Sequence, residues 1–178
     1  DTKGRVYFAT APSGKVYRIE GDKATEFYAP ASEQEAIWSL GLDAKGNVLA
    51  SVTGESPRLV KLIESADGKK VNHVQIFDHP DVRDIWAIVT APDGALYLAT
   101  GPGGAIWTIP VDGKPAEFVT LGGKNILSLM LDKDGNLIAG TAGDGLVISI
   151  DGKTKKTFVL LDGGPSDTLA LLPGTKGN

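Results

Sequence analysis

The chain has 178 residues, a net charge of −4, 42% apolar residues and no cysteine. That is long enough to bury a core, and it excludes a disulfide framework, a thiol nucleophile and a thiolate metal site. The longest basic run, Lys153 to Lys156, is a solvated turn and no nucleic-acid footprint, and no apolar run approaches the roughly 18 residues of a membrane span.

In chain order, residues 1–31 read as a turn, DTKGR, followed by the strands VYFAT, KVYRI and TEFYA. The segment ASEQEA follows, with Ser32 and Glu35 at capping-box spacing and room for one helical turn at most. Residues 36–82 open on the apolar strand IWSLGL, turn at DAKGN and continue through NVLAS, RLVKLI and NHVQIF. Residues 84–122 repeat the order with IWAIVT, APDGA, ALYLAT, AIWTI and AEFVTL. Residues 125–162 repeat it again with ILSLML, DKDGN, NLIAGT, LVISI and KTFVLL. Asp167 to Leu172 then reads as one more apolar strand with nothing after it to pair with.

The turn glycines Gly4, Gly46, Gly94 and Gly135 are separated by 42, 48 and 41 residues, and a fifth near-copy, GTKGN, sets Gly177 another 42 on. A fixed period of this size with four short strands per unit predicts an all-β chain, a β-propeller of four four-stranded blades. The blades are about 1–31 plus 167–172, 36–82, 84–122 and 125–162. Residues 1–31 lack an innermost strand and 167–172 is one without partners. One blade is therefore expected to be completed by the N- and C-terminal strands, in a closed four-blade ring or as part of a larger ring. The innermost strands are the most apolar, so they are expected to be the most covered. The turn glycines are explained by the positive φ of tight hairpins, and DKDG lacks the ligand spacing of a helix-loop-helix calcium loop.

ILSLMLDKDGNLIAGTAGDGLVISI resembles the two-component-regulator type of propeller repeat, and APDGALYLATGPGGAIWTI resembles the blades of NHL, gluconolactonase and virginiamycin lyase propellers. The resemblance implies the fold, and because such blades occur more often in rings of six to eight, it implies a partial ring whose remainder is another copy or a further segment.

Propeller ligands sit at the mouth of the central channel, next to the residues just before each innermost strand. Aligned on Trp38, Trp86, Leu127 and Leu169, those residues are Ala36, Asp84, Asn125 and Asp167, with Glu35, Arg83, Lys124 and Ser166 one earlier. Asp84, Asn125 and Asp167 are oxygen donors suited to a hard cation such as Ca²⁺. Gluconolactonase-like propellers are similar in placing acidic and amide side chains around a channel metal. Arg83 and Lys124 are alternative partners for these carboxylates. Of the two histidines, His73 falls on an outer strand, while His79 lies in a loop toward the channel beside Asp78 and Asp81 and is a candidate base or ligand, as is Glu35. Neither has a GxSxG, HExxH or P-loop context. Trp38 and Trp86 recur at one blade position and read as packing between blades.

Two functions remain. One is a non-enzymatic binding or assembly module that presents the loops TAPSG, TGESP, TGPGG and TAGDG to a protein or small ligand, self-association into a larger ring being one form. The other is a metal-dependent, lactonase-like hydrolase or lyase at the channel, with Asp84, Asn125 and Asp167 as ligands and His79 or Glu35 as general base. A first residue Asp1 fits a trimmed or longer precursor. An acidic, cysteine-free β-protein fits the bacterial periplasm or exterior.

Overall fold

In the computed structural model, which describes residues 1–123 and 125–174, every regular element is a strand. The first sheet holds β1 (Val6–Ala9), β2 (Val16–Glu20) and β3 (Lys23–Tyr28). The second holds β4 (Ala36–Leu42), β5 (Val48–Thr53), β6 (Arg58–Glu64) and β7 (Val71–Phe77) in sequence order. The third is built from β8 (Asp84–Thr90), β9 (Leu96–Gly101), β10 (Ala105–Ile109) and β11 (Ala116–Thr120), the fourth from β12 (Ile126–Leu131), β13 (Leu137–Thr141), β14 (Leu146–Ile150) and β15 (Thr157–Asp162). All pairings are antiparallel meanders.

The chain forms two compact units, Asp1–Ile85 and a second from Trp86 onward. In the first, Val16, Tyr28, Ile37, Val48, Val60 and Leu62 make the core of the first two sheets. In the second, Ile106, Ile126, Leu137, Ala139, Ile148 and Ile150 do the same for the last two.

The turns that open on aspartate share one mechanism. In Asp43 to Asn47, Asp43 Oδ1 accepts the amides of Lys45 and Asn47, both at 2.9 Å, while the Gly46 amide donates to the Asp43 carbonyl at 2.9 Å. Asp132 is bound in the same way by Asp134, Asn136 and Gly135. Gly46 and Gly135 take φ of 81° and 83°, a region that costs a side chain about 1 kcal/mol or more. Burial alone would raise the Asp43 carboxyl. Hydrogen bonds from Asn47 and from Lys61 outweigh it and hold the group below the usual carboxylate range.

A second repeated feature was not readable from composition. In all four sheets the pairing of the third strand with the fourth slips by one residue at the same place, after Val16, Leu59, Ile106 and Val147. Such a bulge strengthens the local twist and turns the outer edge of the sheet away.

Two expectations are corrected. The second strands β5, β9 and β13 are more deeply buried than the innermost ones, because a second strand has neighbours on both edges as well as on its faces. Completion of the first blade by the C-terminal segment is also not formed: the first sheet has three strands, and residues 167–172 form none. Hydrogen bonds hold that segment elsewhere, from the Thr168 amide to the Thr141 carbonyl at 3.0 Å and from Ser128 Oγ to the Thr168 carbonyl at 2.9 Å. The last turn copy lies largely outside the described residues.

Successive sheets of the first unit meet closely at Gly14, where an added β-carbon would lie 2.7 Å from the Glu35 carbonyl and 2.8 Å from Ala36 backbone atoms. Gly14 also donates its amide to that carbonyl at 2.7 Å. Backbone cannot yield as a side-chain tip can, so Gly14→Ala is expected to destabilise the first unit by about 2 kcal/mol, as overpacking does. The urea midpoint checks it, with Val111→Ala, at an exposed loop position, as the companion variant.

Candidate binding site

The predicted site residues have individual fates. Asp84 begins β8, and its Oδ1 accepts the Thr53 hydroxyl, from the end of β5, at 2.7 Å. Asn125 packs its side-chain amide against Gly101 at the end of β9, filling the space a β-carbon would need. Asp167 Oδ1 accepts the Gly143 amide, from the loop after β13, at 2.7 Å. Ala36, at the same position of its repeat, sets its backbone against Gly14 in the loop after β1. The shared position thus carries a tie from the start of each repeat to the end of the second strand, or the loop after it, of the repeat before. Lys124 lies outside the described residues.

Glu35 is nearly buried and belongs to an ion pair. Arg58, on β6, donates from Nη1 to Oε1 at 2.5 Å and from Nη2 to Oε2 at 3.2 Å. This fork holds the Glu35 carboxyl below the usual range, against the opposing effect of burial. A carboxylate with both oxygens bound and its proton affinity lowered is a poor general base. The sequence reading missed Arg58 because the partner lies on another strand, 23 residues away.

His79 stands in the β7–β8 loop, where its Nδ1 accepts the Asp81 amide at 3.3 Å and lies 3.8 Å from the Asp81 carboxylate. It shares a cavity of about 620 Å³ with Asp84. Gly54, Glu55 and Pro57 of the β5–β6 loop form one side, and His79, Arg83 and Asp84 form the other. Both signs of charge therefore line one recess between two loops, and Pro57 and Pro80 stiffen its walls. His73, on β7, is exposed and lies with its ring 5.5 Å from that of Tyr28.

A second cavity, of about 490 Å³, opens among the turns of the first unit. Its floor is a charge cluster absent from the sequence reading. Arg5 Nη1 donates to Glu64 Oε2 at 2.7 Å, and Arg18 Nη1 donates to Glu64 Oε1. Arg5 also binds Asp1 through Nε at 2.7 Å, and Arg18 Nε lies 3.0 Å from Glu20. The available signal was the presence of arginines at strand positions, in Arg5-Val6-Tyr7 and Tyr17-Arg18-Ile19.

Among the described residues, no group of three or more His, Cys, Asp or Glu is placed to hold a metal ion. Calcium asks for six to eight oxygens; of the predicted ligands, Asp84 Oδ1 accepts the Thr53 hydroxyl and Asp167 Oδ1 accepts the Gly143 amide.

No protein-family model matches the chain, and no curated protein matches it. Solved structures do. Virginiamycin B lyase from Staphylococcus aureus matches with a TM-score of 0.71 at 19% identity, over 89% of this chain and 52% of that one. The fold is that of a β-propeller. The extracellular domain of the two component system BT4673 from B. thetaiotaomicron matches with a TM-score of 0.71 at 13% identity, over 98% of this chain and 24% of that one. Regucalcin, a calcium-binding protein from Agrobacterium tumefaciens, matches with a TM-score of 0.64 at 14% identity, over 94% of this chain and 59% of that one. The chain thus spans about half the length of the lyase and a quarter of the extracellular domain. At these identities the likeness carries the propeller architecture alone. Among the described residues no helix is long and apolar enough to cross a membrane.

Proposed function

We propose that this propeller chain is a non-enzymatic binding module whose β5–β6 and β7–β8 loops hold a protein segment or a small polar ligand. The observation that carries this reading is the recess of about 620 Å³ between those loops, lined by Glu55, His79, Arg83 and Asp84. A ligand with both a cationic and an anionic group meets a partner for each there. The binding reading is favoured over a hydrolytic one because Glu35 is forked by Arg58 and Asp84 is bound by Thr53. The acidic, cysteine-free composition and the likeness to an extracellular domain support a place in the bacterial periplasm or exterior.

Ligand-observed NMR with a library of small amino acids and zwitterionic dipeptides tests the site. Binding that is lost in Arg83→Glu is expected, together with a melting temperature unmoved by calcium or EDTA. The lactonase-like alternative puts Ca²⁺ on Asp84, Asn125 and Asp167. A calcium-dependent rise in melting temperature that disappears in Asp84→Ala and Asp167→Ala would replace the binding reading with that one.

A further inference from the structure

The outer strands β3, β7, β11 and β15 each pair with one neighbour, so each turns a row of backbone amides and carbonyls outward. The slip shared by the four sheets aligns these strands residue by residue. The first pair after it is Tyr17 with Glu26, Val60 with Gln75, Trp107 with Glu117 and Ile148 with Val159. The next is Arg18 with Thr25, Lys61 with Val74, Thr108 with Ala116 and Ser149 with Phe158. Three edges thus carry a carboxylate or an amide where β15 carries Val159, and Phe158 stands where the others carry Thr25, Val74 and Ala116.

These two places lie open wherever they occur. Thr25, Glu26, Ala116 and Glu117 are all exposed, although a further sheet follows theirs within the same unit. The exposure of Phe158, 70%, and of Val159, 48%, therefore belongs to the outer edge itself. Leu160 and Leu161 differ, since they answer to Phe118 and Val119, which pack in the core of the last two sheets. Charged and polar side chains keep an open edge from pairing with other chains. Over Phe158 to Leu161, β15 has none.

We propose that the outer edge of β15 takes up an extended acidic segment of a partner protein, added antiparallel as every strand of these sheets is. Charge identifies the occupant. Lys153, Lys155 and Lys156 are exposed in the turn that leads into β15, and Asp162 ends the strand. The Lys155 ammonium lies 4.9 Å from the Phe118 ring centroid, so the cluster is drawn toward the body of the sheet. A second β15 laid antiparallel would set three lysines against one aspartate at each end, and a parallel one would set lysine against lysine. A segment with alternate apolar residues and carboxylates at its C-terminal end answers both features: its backbone pairs with the edge and covers Phe158 and Val159, while its carboxylates reach the lysines.

The probe is a fluorescent, end-blocked peptide that alternates threonine and valine and closes on three glutamates, read by anisotropy; its control closes on three lysines. Saturable binding of the glutamate peptide alone is expected. Lys153→Glu/Lys156→Glu should weaken it about tenfold or more, as the loss of a few partly exposed charge contacts does. Phe158→Thr/Val159→Glu should abolish it with an unmoved melting temperature, because the same pair, Thr25 and Glu26, occupies these places in the first sheet. No binding, equal binding of the two peptides, or binding that survives Phe158→Thr/Val159→Glu would each overturn the proposal. So would a dimeric mass by light scattering that this variant makes monomeric, which would put a second copy on the edge. Arg83→Glu is expected to leave peptide binding unchanged; a loss there would place the peptide in the recess between the β5–β6 and β7–β8 loops and sink the β15 site alone.

Discussion

Leu137→Ala is expected to cost about 3 kcal/mol, the middle of the range for a buried leucine truncated to alanine. Leu137 is 1% exposed, stands opposite Leu131 on one side and Ile150 on the other, and belongs to the core of the last two sheets with Ile106, Ile126 and Ala139. Its strand is held by a ladder on both edges, so the backbone has little freedom to collapse into the space, and the cavity adds to the lost transfer energy. Denaturation in urea should show a lower midpoint with an unchanged slope. Val111→Ala, at an exposed loop position, should stay within about 0.5 kcal/mol of the parent. A Leu137→Ala loss no larger than that would mean that these sheets do not close on each other.

The architecture was legible because its signals are local and repeated. Asp43 to Asn47 and Asp132 to Asn136 form their turns from side chains and glycines within five residues, so spacing alone finds them. Contacts between sheets were less legible. The alignment put Asp84, Asn125 and Asp167 at one repeat position, and in the structure each meets the end of the second strand, or the loop after it, of the repeat before. The spacing says which residues are equivalent; what they touch depends on how one twisted sheet leans on the next. The Arg58–Glu35 fork and the Glu64 cluster belong to the same class, since their partners lie 23 and 46 to 59 residues apart. The depth of the second strands could have been anticipated, because only a strand with two neighbours has both edges covered. Apolar content misled there: the innermost strands are richer in large apolar residues, yet they have a free edge.

Glu64→Gln is expected to cost about 2 kcal/mol near neutral pH. Removing one partner of a buried pair typically costs about 3–5 kcal/mol. Here the Glu64 and Arg5 side chains each keep 18% of their surface in contact with water, and screening reduces the loss. Arg5 retains Asp1, and Arg18 retains Glu20. The guanidinium of Arg5 also lies 5.7 Å from the Tyr7 ring centroid and that of Arg18 lies 5.4 Å from Phe27, so both cations keep part of their support. The charge dependence gives the sharper reading. Burial alone would raise the Glu64 carboxyl, but the hydrogen bonds from Arg5 and Arg18 outweigh it and hold the group below its ordinary value of 4.5. A carboxyl whose folded value is depressed stabilises the fold above the unfolded value, and that stabilisation is lost as the pH falls through the folded one. The gap between parent and Glu64→Gln should therefore be full at about pH 7 and shrink as the pH drops below 4.5. Urea unfolding at about pH 7 and about pH 3 measures both ends of that window. A gap of equal size at the two ends would mean that Glu64 acts through packing, with its charge contributing nothing.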